Sequence, residues 1–261
     1  MKRIPLVFYI LLCFLWLNAC VQQPIDEGMS SQAKSDRAYQ SAKIHTELAA
    51  EYFNRGQLEV AIEEVTEALQ AQSNYAPAHN VLGLINMTLN EDSKALNNFE
   101  QAIRLAPKNS EIHNNYGWFL CQRFAQRTDQ AINHFMIAAQ DPLYPTPEMS
   151  LTNAGICELK RQKYSEAQVF FQRALSIQPN YSPALIGLVE IDFQRGNLVE
   201  AKSKLVLFLQ NNALTPESLL LAIQIERAVS DQPAADSYIF KLQKYFPDSK
   251  EAAAVREGKI R

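Results

Sequence analysis

The sequence predicts an all-α solenoid of repeated helix pairs, on three observations: a 34-residue self-similarity, small residues recurring at that period, and a shortage of glycine. His45, His79 and His113 are spaced by 34 residues, as are Ala61 and Ala95, and Ala68 and Ala102. A fixed period of this size marks supersecondary units that cannot bury their apolar faces alone and do so by stacking. Glycine, which weakens helix interiors, occurs 8 times in 261 residues, well under the usual level of roughly 7%.

The unit at 76–109 is the cleanest, with Leu82-Gly83, Ala95, Phe99, Ala102 and Pro107. These offsets resemble the tetratricopeptide repeat, whose pattern is W-x2-L-G-x2-Y followed by A, F, A and P. The unit at 42–75 supplies Leu48, Tyr52, Ala61, Val65 and Ala68, with Ser73 in place of Pro. The unit at 110–147 has Tyr116-Gly117, Ala131, Phe135 and Ala138, but its second half arrives two residues late, so 122–128 is expected to hold an enlarged turn. Gly155, Ala167, Phe171, Ala174 and Pro179 mark the unit at 148–181. The unit at 182–215 keeps Leu188, Ala201 and Leu205, with Phe208 where a small residue is expected; that at 216–249 keeps Ala222, Ala235, Ile239 and Pro247. The resemblance implies a right-handed superhelix of about six helix-turn-helix repeats, followed by a C-terminal tail at 250–261. Small residues belong where helices approach most closely, rings such as Phe99 and Phe171 fill the wedge beside them, and the prolines end helices.

Ahead of the repeats, Met1-Lys2-Arg3 and an apolar stretch to Leu17 read as the cationic and hydrophobic regions of a signal peptide at 1–19. The apolar run is short of the about 20 residues that a membrane span needs. Leu17-Asn18-Ala19-Cys20 resembles a bacterial lipobox, which implies that Cys20 becomes the acylated N-terminus after cleavage. Each buried methylene of an acyl chain contributes about 0.8 kcal/mol, so two or three chains would hold the protein on a bilayer. Val21, where Asp would favour retention at the inner membrane, resembles the outer-membrane-sorted kind. The polar, proline-bearing stretch completing 20–41 is expected to be a flexible tether.

A formal charge of −3 and the lack of a basic run exclude an electrostatic footprint for nucleic acid. His45, His79 and His113 share one repeat position, and helices in successive layers pack about 8–10 Å apart. That is too far to share a zinc ion bound at about 2.0–2.1 Å. No phosphate-cradling glycine loop, His-Glu-x-x-His or Gly-x-Ser-x-Gly motif is present. No enzyme, metal, cofactor or small-molecule substrate is expected.

Cys121 and Cys157 fall in the first helices of the third and fourth repeats, at positions differing by about two residues, and are expected to form a disulfide in an oxidising compartment. Two separate buried thiols remain the alternative if their Cα atoms lie beyond about 7 Å. First helices line the groove of a tetratricopeptide stack, which nominates Phe53, Asn54, Asn80, Leu84, Met87, Asn114, Trp118, Ile156, Leu159, Ile186 and Phe193. The same residues are also candidates for packing between helices. Thr46 and Ala50 replace the Lys and Asn of a carboxylate clamp, so an amphipathic helix or extended peptide is the expected ligand.

A lipobox, a tether and six repeats without other domains resemble the PilF/PilW family of type IV pilus biogenesis lipoproteins. The resemblance implies a pilotin: an outer-membrane lipoprotein that binds a pilus secretin subunit and helps it assemble. The paired cysteines also fit that family. A periplasmic scaffold lipoprotein for cell-wall hydrolases or β-barrel assembly is the alternative that the same build allows.

Overall fold

The computed structural model describes residues 30–259, so the signal peptide, Cys20, Val21 and residues 22–29 lie outside the described residues. Among these, all regular structure is helical. The helices are α1 (Ser31–Asn54), α2 (Leu58–Ala71), α3 (Ala76–Thr88), α4 (Asp92–Leu105), α5 (Ser110–Arg123) and α6 (Thr128–Gln140). There follow α7 (Pro147–Lys160), α8 (Tyr164–Ile177), α9 (Ser182–Gln194), α10 (Leu198–Asn211), α11 (Pro216–Ala228), α12 (Gln232–Tyr245) and α13 (Lys250–Arg256). The described residues divide between Val81 and Leu82 into two compact units, the second being the Leu82–Arg261 unit.

The turns within the pairs carry the period. Gly56 (φ 73°), Asn90 (φ 60°), Gln162 (φ 59°), Gly196 (φ 78°) and Ser230 (φ 62°) all adopt left-handed backbone where the first helix of a pair ends. Such a residue reverses the chain and lets amides of the turn reach the last carbonyls. Gln57, Asn197 and Asp231 accordingly donate backbone N–H bonds to the carbonyls of Tyr52, Asp192 and Glu226. The third pair breaks the pattern. Its turn is the 3₁₀ segment Ala125–Arg127, which is the enlargement that the late second half of the repeat leads one to expect.

In the first unit α1 and α2 close on Ala42, Ala49, Ala61, Val65 and Ala68, all fully buried. The tether expectation fails from Ser31 onward, because the residues numbered 31–41 are the first turns of α1. The Ser30 hydroxyl caps this helix by accepting from the Ala33 amide at 3.2 Å. Tyr39 packs edge-on against Tyr75, with ring centroids 5.6 Å apart. The polarity that suggested a tether is the solvent face of a helix.

Within the second unit a buried ring against a glycine recurs from pair to pair. A Cβ built on Gly83 would lie 2.9 Å from the Phe99 ring, and one on Gly117 2.9 Å from the Phe135 ring. Phe171 is held between two glycines, with hypothetical Cβ distances of 2.6 Å from Gly155 and 2.5 Å from Gly187. The region at 250–261 is likewise more than a tail. Ser249 caps α13, and its Ala252 is buried against Leu219, Ile223 and Leu242. Those three side chains are the apolar end of the last pair, and a helix that covers them removes that surface from water.

The four histidines are packing residues. His45 meets Glu64 at 2.7 Å, and His79 and His113 meet the carbonyl oxygens six residues earlier, at Ser73 and Pro107. His113 Nε2 therefore carries the proton it donates to Pro107, leaving Nδ1 to accept from His134 Nδ1 at 2.8 Å. Burial, with His113 alongside, depresses the His134 pKa to about 4.

Phe171→Ala should cost about 3–5 kcal/mol as a cavity, and Gly187→Ala about 1–3 kcal/mol as overpacking, both read from urea midpoints. The Gly187→Ala cost should shrink when Phe171 is also made Leu; an additive double mutant would refute the contact. Because the folded state holds the His134 pKa below its unfolded value near 6.5, stability is retained above that pH. It falls as the pH drops toward 4, by at most about 3 kcal/mol. His134→Phe should flatten the urea midpoint across that window, and an unchanged slope would count against the buried pair.

Candidate partner-binding groove

Ile156, Leu159 and Lys160 lie three and four residues apart and so share one face of α7; Pro183, Ile186, Gly187, Glu190 and Gln194 do the same on α9. These faces, with Tyr164 and Phe171 of α8 and Gln162 of the turn, enclose a cavity of about 480 Å³. The absence of side chains on Gly155 and Gly187 lets α7 and α9 settle on the Phe171 ring, which forms part of the cavity wall. Ligand pockets are of this kind: mostly apolar, with a few polar groups that orient the ligand.

Those polar groups are a cation and an anion. The Lys160 ammonium donates to Gln122 Oε1 on α5, and burial lowers its pKa. Burial raises the pKa of the Glu190 carboxyl, which Gln194 Nε2 contacts at 3.5 Å. Neither group belongs to an ion pair within 4.0 Å among the described residues. A second hollow of about 570 Å³ between α9 and α10 is lined by Leu185, Leu188, Leu207 and Phe208. Its ammonium, on Lys204, is paired with Asp192.

Of the groove residues the sequence nominates, the cavity brings together Ile156, Leu159 and Ile186. Asn114 is corrected to a buried tie: it is 3% exposed, and its Oδ1 accepts from Ser150 Oγ at 2.9 Å and Asn153 Nδ2 at 3.0 Å, joining α5 to α7. Asn80, in the first unit, is also buried. Leu84, Met87 and Trp118 are half-buried against the Phe99 and Phe119 core, and Phe193 against Val189 and Leu205. Phe53 is half-buried and Asn54 exposed at the end of α1. Helix packing decides these cases, since a first helix presents one flank to its neighbour and the other to solvent. The repeat pattern alone did not single out Lys160, Glu190 and Gln194. Their spacing from Ile156 and Ile186, by four and eight residues, was the available signal.

Cys121 and Cys157 are joined as a disulfide, with Cα atoms 5.9 Å apart. The bond excludes the alternative of two free thiols. It ties α5 to α7, the helix that carries Ile156, Leu159 and Lys160 into the cavity.

Models of the tetratricopeptide repeat match residues 76–109 and 158–205. The type IV pilus assembly protein PilF of Pseudomonas aeruginosa is 28% identical over 95% of this chain and 96% of its own. The crystal structure of PilW, described as a widely conserved type IV pilus biogenesis factor, shares 33% identity at a TM-score of 0.71, covering 82% of this chain and 97% of that one. A solved structure of Pseudomonas aeruginosa pilF shares 26% identity at a TM-score of 0.67, covering 86% and 99%.

Replacing both Cys121 and Cys157 with Ser should lower unfolding stability by about 3–4 kcal/mol, the chain-entropy expectation for a loop of this length. A reductant should shift the wild-type urea midpoint and leave that of the double mutant in place. Coincident midpoints for the two oxidised proteins would refute a stabilising role.

Proposed function

The chain belongs to the PilF/PilW family of tetratricopeptide proteins of type IV pilus biogenesis, and from that premise we propose that it is a pilotin for the pilus secretin. It binds a secretin subunit through the groove of its first helices while acyl chains on Cys20 hold both proteins at the periplasmic face of the outer membrane. The observation that carries this reading is the end-to-end match to PilF, 95% of one chain against 96% of the other. The lipobox reading of Leu17-Asn18-Ala19-Cys20 and the sorting residue Val21 support the membrane half. The α7–α9 cavity supports the binding half, because its size and apolar floor suit a peptide side chain. Anchor and groove then act in concert. Confining the captured subunit to the membrane surface raises its effective concentration there without any new contact. No step in this role makes or breaks a covalent bond in the partner.

Heat-resistant secretin multimers should fall sharply in a strain lacking this protein and return on complementation, as read on immunoblots. Cys20→Ser should move the protein from the membrane to the soluble fraction and fail to restore the multimers. Unchanged multimers in the deletion strain would sink the pilotin role, and a Cys20→Ser protein that stayed in the membrane would sink the anchor.

A further inference from the structure

Glu190 stands where no other repeat carries a charge. Counting eight residues from each repeat start, its equivalents are Ala50, Leu84, Trp118, Ile156 and Gln224. The fold therefore does not require a carboxylate there. Taking a carboxylate out of water is costly unless it is paired and hydrogen-bonded. Glu190 gains only the Gln194 amide at 3.5 Å, the outer limit of a hydrogen bond.

Lys160 on the cavity wall, and the cations that follow Glu190 in the sequence, have partners of their own. The Arg195 guanidinium donates to Gln168 Oε1 at 2.8 Å and Ser165 Oγ at 3.1 Å. The Lys204 ammonium is paired with Asp192, and that of Lys160 with the Gln122 amide oxygen. The cavity thus holds a half-buried carboxylate that no cation among the described residues pairs with, beside an apolar floor of Ile156, Leu159 and Ile186.

We propose that the α7–α9 cavity takes an extended peptide segment of the partner that places an apolar side chain on this floor and a Lys or Arg side chain against Glu190. The inference rests on the groove being the partner-binding site, and it adds the chemistry of the segment bound there. Charge complementarity selects the occupant: a cation at Glu190 gains a charge-assisted hydrogen bond in a half-buried site. Lys160, on the adjoining wall, offers its remaining N–H groups to a peptide carbonyl. An acidic segment would set like charge against Glu190 and be rejected, which gives the site specificity as well as affinity.

The test uses the full chain in detergent and a synthetic nonapeptide library randomised at its five central positions. The wild-type protein should enrich peptides with Lys or Arg beside a large apolar residue. Affinity for the best of them should fall about ten- to a hundredfold in Glu190→Gln, the range for losing a charged hydrogen bond. Glu190→Lys should shift the selection to acidic peptides. Thermal unfolding of both variants, compared with wild type, establishes that the fold is intact, and Gln preserves the shape of Glu. Selection without a basic residue, no selection at all, or affinity indifferent to Glu190→Gln would each overturn the inference. The secretin-multimer assay separates the two readings. Multimers that depend on the protein alongside Glu190-indifferent peptide binding would remove this inference alone. Glu190-dependent selection with multimers that ignore the protein would remove the pilotin role alone.

Discussion

The contact between a phenylalanine on the second helix of a pair and a glycine on a first helix sets the spacing within the Leu82–Arg261 unit. Gly83, Gly117, Gly155 and Gly187 give Phe99, Phe135 and Phe171 a surface without side chains to pack on. Phe171, flanked by two glycines, is in close contact with both α7 and α9. The cavity is a consequence. Two first helices are seated on one ring, and the side chains of Ile156, Leu159 and Ile186 line the gap beside it without filling it. In the fifth pair Leu205 takes the place of the ring, and Phe208 occupies the position where a small residue is usual. The second hollow lies beside that exchange.

Dispersion and area burial hold the pairs together, but they are non-directional. Register between the third and fourth pairs comes from polar and covalent ties concentrated on α5 and α7. The Cys121–Cys157 bond, the Asn114 carbonyl shared by Ser150 and Asn153, and the Lys160–Gln122 hydrogen bond all join these two helices. Arg161, just past α7, reaches Asp129 on α6. The third pair is also the one whose turn departs from the repeat. A 3₁₀ segment replaces the single left-handed residue, and the extra fastenings lie beside that irregularity.

The candidate site was half legible in the sequence. Ile156, Leu159 and Ile186 could be named because they are apolar and fall on first helices. Glu190 and Lys160 escaped because a charge on a helix reads by default as a solvated face, and only the folded cavity brings the half-buried Glu190 and the exposed Lys160 to one site. Asn114 erred the other way. Its place on a first helix suggested a groove, whereas its side-chain oxygen accepts two bonds between helices. His134 drew no attention in the sequence because it lies outside the shared position of the other three histidines. Its bond to His113 exists only once α5 and α6 are folded together.

By itself the sequence determined the repeat. A 34-residue period with small residues, rings and prolines at fixed offsets admits one way of burying an apolar face, and the same counting placed Cys121 and Cys157 on adjacent first helices. It also carries Cys20 and Val21, whose meaning is chemical and does not depend on the fold. Tertiary structure decided which flank of each first helix meets a neighbour and which meets solvent. Periodicity gives the angle of a residue around its own helix but not the distance to the next one. That distance is set by how deeply Phe171 sinks between Gly155 and Gly187. It decides how far Glu190 is withdrawn from water into the wall of the α7–α9 cavity.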